Sequence, residues 1–143
     1  MDISIDFGIT VTDIIKREKG VISHDMMLSK EEPSLKLLEN LFSDVNLETE
    51  INLLAVTGGK HLNLGDKIKS TKIIHVNEID AVGEGAMNLS GLSSNNPIII
   101  VSAGSGTACI LANDGSYMHC SGTGVGGGTC LLYTSPSPRD RVL

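Results

Sequence analysis

Two stretches of the sequence share one plan, and this repetition constrains the fold more than any other feature. Each stretch contains three short segments rich in strand-forming residues, and a turn containing Gly and Thr joins the first two of them. Such segments, bounded by turn residues, predict antiparallel strands. The predicted strands cover residues 2–6, 10–15 and 21–28 in the first stretch and residues 98–101, 108–112 and 116–120 in the second. The sequence therefore predicts two three-stranded β-meanders.

The segment between the two meanders alternates between helix and strand patterns. Pro33 suits the first position of a helix, and apolar residues recur after it at helical spacing. Short apolar runs predict buried strands over residues 51–56 and 72–76, and residues 79–89 predict a second helix. Alternation of strands, loops and helices is typical of a mixed α/β sheet.

Composition excludes several classes of function. The chain has 143 residues, with 11 Lys and Arg against 17 Asp and Glu, which gives a net charge of −6. A chain this acidic is a poor binder of nucleic acid or anionic membranes, and no apolar run has the length of a membrane span. The three Cys residues form no CxxC motif, so we expect neither a disulfide framework nor a zinc site. This cysteine usage indicates a reducing, cytoplasmic compartment.

The two glycine-containing turns, Phe7–Thr10 and Gly104–Thr107, are candidate phosphate-binding loops. Glycine leaves backbone N–H groups unshielded, and several such groups in one turn can hold phosphate oxygens. Each turn alone is a weak signal, but both occur at the same place in the two meanders. The GxxxxGK[ST] pattern is absent, which excludes a P-loop.

The last residues have a different character. The string from Cys130 to Asp140 resembles the in-frame translation of a transposase sequencing adapter, and its alternating Pro and Ser residues do not suit a helix or a packed strand. We expect residues 130–143 to be an artefactual tail, and the natural gene product to continue differently beyond about residue 129.

Four segments in the same order resemble the N-terminal part of the type II pantothenate kinases, within the actin-like ATPase superfamily. The VxExDA pattern and the terminal GGGT are the narrowest matches, whereas the first segment and the glycine turn of the fourth are general to the superfamily. The resemblance spans residues 1–129, and the segments are Ile5-Asp6-Phe7-Gly8-Ile9-Thr10, Ala55-Val56-Thr57-Gly58-Gly59, Val76-Asn77-Glu78-Ile79-Asp80-Ala81, and Ala103–Thr107 running into Gly124–Thr129.

The resemblance implies an α/β protein with the actin-like ATPase (ribonuclease H-like) fold. Residues 1–95 would form a nearly complete first domain, and residues 96–129 would form the opening strands of a truncated second domain. It also implies ATP-dependent phosphorylation of pantothenate to 4′-phosphopantothenate, the first step of coenzyme A synthesis, with Mg²⁺ as cofactor. Because the adenine-binding segment of the family would lie beyond residue 129, we expect the truncated chain to be inactive by itself. The full-length parent would be a cytoplasmic homodimer, with coenzyme A or an acyl-CoA as a feedback ligand.

The resemblance also assigns roles to individual residues. Asp6 would hold the magnesium ion, and Glu78 would be the catalytic carboxylate that takes the proton from the pantothenate hydroxyl. His119 would contact the substrate. The nucleotide phosphates would be bound by Gly8 and Thr10 in the first loop, by Gly104, Ser105, Gly106 and Thr107 in the second loop, and by Gly126, Gly127 and Gly128 in the glycine-rich turn.

Three positions depart from the pattern of the family and keep other functions open. Ile9 stands in place of a glycine, Asp13 in place of a frequent lysine, and His119 in place of an arginine. A non-catalytic paralogue that senses a nucleotide or an acyl-CoA would tolerate these changes. A second alternative is another kinase of the superfamily or a dehydratase-activating ATPase, although the Cys positions do not suggest the iron–sulfur cluster of such activators.

The two acidic candidates also have simpler interpretations. Glu78 precedes a predicted helix, where a carboxylate interacts favourably with the helix dipole. Asp6 follows a strand, where Asp commonly forms a turn.

Overall fold

The computed structural model describes residues 1–43, 45, 50–92, 96–127 and 129, and within them the chain divides into two compact units, Met1–Glu78 and Ile79–Leu143. The adapter-like tail and Gly128 lie outside the described residues. The strands are β1 (Asp2–Phe7), β2 (Val11–Glu18), β3 (Val21–Leu28), β4 (Leu53–Gly58), β5 (Lys67–Ile68), β6 (Thr71–His75), β7 (Ile98–Ala103), β8 (Thr107–Asn113) and β9 (Ser116–Thr123). The helices are α1 (Leu35–Leu41), a 3₁₀ helix (His61–Asn63) and α2 (Glu78–Ser90).

The first unit is built on a six-stranded mixed sheet in the order β3-β2-β1-β4-β6-β5. The first three strands form the predicted antiparallel meander, with Phe7 opposite Thr12 and Val11 opposite Leu28 at its glycine end. β1 pairs in parallel with β4, and β4 pairs in parallel with β6. Three parallel strands therefore end at the same edge of this sheet.

One face of the sheet carries the core of the first unit. β1 alternates between buried and exposed residues, because successive side chains of a strand point to opposite faces. Each fully buried Leu or Ile side chain contributes about 1.5–3 kcal/mol relative to leaving it exposed. The core residues are Ile3, Ile5, Phe7, Ile14, Leu37, Leu38, Phe42, Ile51, Leu54, Val56, Leu64, Ile68 and Ile73.

Helix α1 begins later than the sequence predicts. Ser34 is the N-cap, and its hydroxyl accepts a hydrogen bond from the Leu37 backbone N–H at 3.1 Å. Pro33 therefore precedes the cap instead of occupying the first helical position. The prediction was wrong at this residue because a serine hydroxyl satisfies an otherwise unpaired helix N–H, which a proline cannot do.

The short hairpin of β5 and β6 was not predicted. Its first strand has two residues, too few for any periodic pattern, and its turn uses Lys69 at a positive φ of 52° instead of glycine or asparagine. In the β2–β3 and β8–β9 hairpins the positive-φ residue is followed by glycine, which marks the turn in the sequence: Lys19 (φ 49°) precedes Gly20 (φ 82°), and Asp114 (φ 49°) precedes Gly115 (φ 73°).

The second unit contains the other predicted meander, an antiparallel sheet in the order β7-β8-β9. The register between β8 and β9 shifts between Cys109 and Ile110, and Ile110 is buried. Helix α2 was predicted over residues 79–89 and is observed over Glu78–Ser90. Neither this helix nor any other within the described ranges has the length and apolar content needed to cross a membrane.

Candidate functional site

The carboxyl edge of the parallel strands in the first unit brings two of the predicted acidic residues together. Asp6 is the second-to-last residue of β1, and Glu78 follows the end of β6 by three residues. Thr57 of β4 is the register partner of Asp6. Ligands of α/β proteins bind at this edge of the sheet, beyond the carboxyl ends of the strands.

The carboxylate of Asp6 lies in a negatively charged environment. Partial burial raises the pKa of Asp6, and the charges of Glu78 and Asp13 raise it further. A raised pKa means that the folded protein holds the Asp6 proton more tightly than the unfolded chain does. Ionisation of Asp6 therefore opposes folding as the pH rises through this pKa, unless a cation offsets the repulsion.

The residues at this edge fit a magnesium ion of the kind that binds between carboxylates and phosphates. Mg²⁺ usually keeps several water ligands and takes one or two carboxylates from the protein. Asp6 and Glu78 supply such carboxylates, and the Thr57 hydroxyl beside Asp6 is buried with no hydrogen-bond partner among the described residues. No group of three or more His, Cys, Asp or Glu residues in the described ranges could hold a metal alone.

Gly58 lies tightly against the Asp6 carboxylate and the backbone of Phe7. Gly58 has a φ of 85°, and a Cβ atom there would overlap the Asp6 carboxylate and lie 2.7 Å from the Phe7 carbonyl oxygen. The next residue, Gly59, donates its N–H to the same Phe7 oxygen at 2.8 Å. Sequence analysis assigned no role to Gly58, although a Gly-Gly pair directly after a buried strand is a signal of close backbone approach.

The first glycine loop connects β1 to β2 and includes Gly8, Ile9 and Thr10. Gly8 is required by space, because a Cβ atom would lie 2.5 Å from the Val11 carbonyl oxygen. The side chain of Ile9 is 83% exposed, so it does not fill the loop. Ser29 follows β3 and donates hydrogen bonds to two carbonyls of this loop, a contact that no sequence motif predicts.

The second unit brings together the second glycine loop and the glycine-rich turn. Gly127 donates its N–H to the Gly104 oxygen at 2.9 Å, and the Thr107 hydroxyl donates to the Val125 oxygen at 2.8 Å. A Cβ atom at Gly126 would lie 2.5 Å from the carbonyl oxygens of both Gly104 and Ser105. The two predicted phosphate-binding segments are thus in direct backbone contact.

Two hydrogen-bond donors of the second loop are already used inside the unit. The Gly104 N–H donates to the Gly106 oxygen at 2.8 Å, and the Thr107 hydroxyl donates to Val125. A phosphate oxygen can only accept hydrogen bonds, so these two groups could bind phosphate only after their present bonds open. A Cβ atom at Gly106 would lie 2.8 Å from the Thr123 oxygen, which explains why glycine stands there.

Two of the positions that depart from the family pattern, His119 and Asp13, lie on strands. His119 lies on β9, pairs with Ile110 in the register and is exposed. Asp13, where the resemblance implies lysine, lies on β2, and its carboxylate is hydrogen-bonded to Nε2 of His24 on β3 at 2.7 Å.

Among curated proteins, the chain is similar to type II pantothenate kinases. The chain is 29% identical over 133 residues to the type II pantothenate kinase of Bacillus cereus strain AH820 and 27% identical over 132 residues to that of Bacillus anthracis. Each alignment covers 90% of this chain and 46% of the relative, so the chain spans about half the length of the curated relatives it matches. A scan against protein-family models found no match.

Solved structures identify the fold. The Ppx/GppA phosphatase of Aquifex aeolicus in its type II variant matches with a TM-score of 0.56 at 11% identity, covering 97% of this chain and 58% of that chain. The ethanolamine utilization protein EutJ of Carboxydothermus hydrogenoformans matches with a TM-score of 0.55 at 12% identity, covering 91% and 54%. Both are actin-like ATPase folds. The chain is therefore an α/β protein with the actin-like ATPase fold whose curated relatives are type II pantothenate kinases, as the sequence resemblance predicts.

Proposed function

We propose that this chain is part of an enzyme that uses ATP to phosphorylate pantothenate. The observation that carries the proposal is the pairing of Asp6 and Glu78 at the carboxyl edge of the parallel strands, close enough for the charge of Glu78 to raise the pKa of Asp6. Phosphoryl transfer to an alcohol needs a carboxylate near a metal and a second carboxylate for the hydroxyl proton. The similarity to type II pantothenate kinases supports pantothenate as the alcohol.

In the proposed reaction, Glu78 accepts the proton of the pantothenate hydroxyl. The hydroxyl oxygen then forms a bond to the γ-phosphorus of ATP, while the bond from that phosphorus to the bridging oxygen breaks, leaving 4′-phosphopantothenate and ADP. The side chain of Glu78 is exposed, so an alcohol can approach it. Asp6 would hold Mg²⁺, which supplies positive charge to the phosphate oxygens when bound.

The two glycine loops would hold the phosphates. Gly8 and Thr10 belong to the first loop; Gly104, Ser105, Gly106 and Thr107 belong to the second; and Gly126 and Gly127 back the second loop by direct contact. Gly128 would complete the glycine-rich turn. His119, exposed on β9, would donate a hydrogen bond to the substrate.

The full-length parent would be a cytoplasmic homodimer subject to feedback by coenzyme A or an acyl-CoA. The dimer and the feedback come from the resemblance to the kinase family alone, whereas the compartment also follows from the cysteine usage. They would be tested by the mass of the purified protein in solution and by inhibition of turnover with coenzyme A.

A non-catalytic nucleotide sensor is the second candidate function. The specific observation in its favour is the environment of Asp13, which stands where the kinase family often places lysine. Its carboxylate lies 2.7 Å from Nε2 of His24, so a negative side chain takes the place of a positive one. A dehydratase-activating ATPase stays an alternative, although the Cys positions of the sequence do not suggest its iron–sulfur cluster.

The test measures ADP release by the full-length gene product that contains this chain. With ATP and Mg²⁺, we expect ADP release to depend on pantothenate, and Glu78→Gln to lower kcat by about 10²–10⁴-fold, the usual contribution of a general base. Glu39→Gln, the same substitution at an exposed residue of α1, is the matched control and should leave kcat unchanged.

Three results would contradict the proposal. ATP binding without pantothenate-dependent turnover would support the sensor. ADP release with a different alcohol, and none with pantothenate, would support another kinase of the superfamily. Equal loss of activity in the Glu78→Gln and Glu39→Gln variants would show that Glu78 is not the catalytic base.

A further inference from the structure

We propose that Ser29 is a positioning residue that holds the first glycine loop in the shape needed to receive a phosphate. The inference rests on the proposed function, because it concerns the same nucleotide site. Ser29 lies one residue beyond β3, and its sequence neighbours carry no catalytic motif. Its contacts are with the loop between β1 and β2, 19 to 21 positions earlier in the chain.

Ser29 binds two carbonyl oxygens of the loop at once. Its hydroxyl donates to the Gly8 oxygen at 2.8 Å, and its backbone N–H donates to the Thr10 oxygen at 3.0 Å. A carbonyl oxygen that faced a phosphate would repel it, since both carry negative charge. By holding both oxygens on its own side, Ser29 keeps them away from an incoming anion.

The contact between Ser29 and the Gly8 carbonyl also sets the direction of the next backbone N–H, because the peptide group is planar. In a trans peptide the C=O and the following N–H point in opposite directions, and the described residues contain no cis peptide bond. Because the Gly8 carbonyl points to Ser29, the N–H of Ile9 must point away from Ser29. This leaves that N–H on the opposite side of the loop, where a phosphate oxygen can accept from it.

A buried threonine fixes the hydroxyl of Ser29 in its working orientation. Thr12 Oγ1 lies 2.9 Å from Ser29 Oγ, and Thr12 is 3% exposed. A hydroxyl has one hydrogen, and that of Ser29 goes to Gly8, so the Thr12 hydroxyl is the donor in this pair. The backbone also bends tightly here, since the Lys30 N–H donates to the Leu28 oxygen at 2.9 Å. The two hydrogen bonds from Thr12 to Ser29 and from Ser29 to Gly8 therefore start at a buried side chain, which fixes their directions.

The experiment measures binding of Mg²⁺-ATP to the full-length gene product by isothermal titration calorimetry. Ser29→Ala should raise Kd about tenfold, the equivalent of losing one hydrogen bond, with the binding stoichiometry unchanged. Ser29→Thr keeps the hydroxyl and should restore most of the affinity. Ser23→Ala, an exposed serine on β3, is the matched control and should leave Kd unchanged.

Separate results would overturn the inference and the proposed function. A Ser29→Ala variant with the wild-type Kd would refute the role of Ser29 and leave the proposed function standing. A lower stoichiometry at unchanged Kd would show that Ser29 serves only folding, which also refutes the inference. Failure of the wild-type protein to bind Mg²⁺-ATP would refute the proposed function and with it this role.

Discussion

At the scale of single residues, the site depends on Gly58, a glycine that was not among the predicted site residues. Gly58 combines a positive φ with the absence of any room for a side chain, because the Asp6 carboxylate and the Phe7 carbonyl oxygen occupy the space. A side chain at this position would push against the carboxylate that is proposed to hold the metal. Gly58 therefore links the stability of the sheet edge to the position of Asp6.

Substitution of Gly58 by alanine should destabilise the chain more than the same change at Gly20. Both glycines have a positive φ, which costs alanine about 1–2 kcal/mol, but a Cβ atom at Gly20 meets nothing within 4 Å. The overlap at Gly58 should add about 1–3 kcal/mol. Urea unfolding of both variants measures the difference, and equal losses would show that the contact with Asp6 carries no cost.

At the scale of secondary-structure elements, helix α2 packs against β9 at Gly83, where the lack of a side chain makes room for Tyr117. A Cβ atom at Gly83 would overlap the ring of Tyr117, so the ring lies against the helix backbone. The Tyr117 hydroxyl donates to Glu84 Oε2 at 2.6 Å, and this bond lowers the pKa of Glu84 and raises that of Tyr117. The side chain of Asn88 donates to the other Glu84 oxygen at 2.9 Å.

Alanine substitutions at Gly83 and Gly85, which lie two residues apart in α2, should have opposite effects on the stability of the chain. Gly85→Ala meets nothing within 4 Å and should stabilise the helix by up to about 1 kcal/mol through helix propensity. Gly83→Ala gains the same propensity but must displace the Tyr117 ring, at a cost of about 1–3 kcal/mol. Thermal unfolding distinguishes them, and stabilisation by both changes would contradict this packing.

At the scale of the whole molecule, the acidic charge should make the proposed nucleotide binding dependent on a cation. The chain carries a net charge of −6, and Asp6, Asp13 and Glu78 add local negative charge at the proposed site. ATP is itself an anion, so without a metal it would be repelled. Burial raises the pKa of Asp6, and the charges of Glu78 and Asp13 raise it further. A divalent cation that offsets this repulsion would stabilise the folded chain.

Magnesium should raise the thermal unfolding temperature of the chain in a pH-dependent way. The effect should be full at pH values above the raised pKa of Asp6, where this carboxylate is ionised, and should disappear as the pH falls through that pKa, because a protonated carboxyl attracts no cation. Asp6→Asn should abolish the response to Mg²⁺ and, without Mg²⁺ and above that pKa, unfold at a higher temperature than the wild-type chain. Differential scanning fluorimetry with and without EDTA measures both effects. An unchanged Mg²⁺ response in Asp6→Asn would place the metal elsewhere.

Several features of this protein follow from the sequence alone. Both meanders, the buried strand β4 and helix α2 were predicted because their signals are local: alternation of apolar residues, β-branched runs and glycine turns. The actin-like ATPase fold was predicted from short motifs in a fixed order, and the structural neighbours confirm it. The predicted roles of Asp6, Glu78, His119 and the two glycine loops stay predictions.

Only the tertiary structure decided how residues distant in the chain meet. The parallel pairing of β1 with β4 sets Asp6 beside Thr57, and the meander returns Ser29 to the loop that contains Gly8. Neither contact has a local signal, since one depends on strand register and the other on a serine with unremarkable neighbours. Periodicity and turn chemistry act within a few residues, whereas register and hydrogen bonds across a sheet depend on the packing of the whole unit.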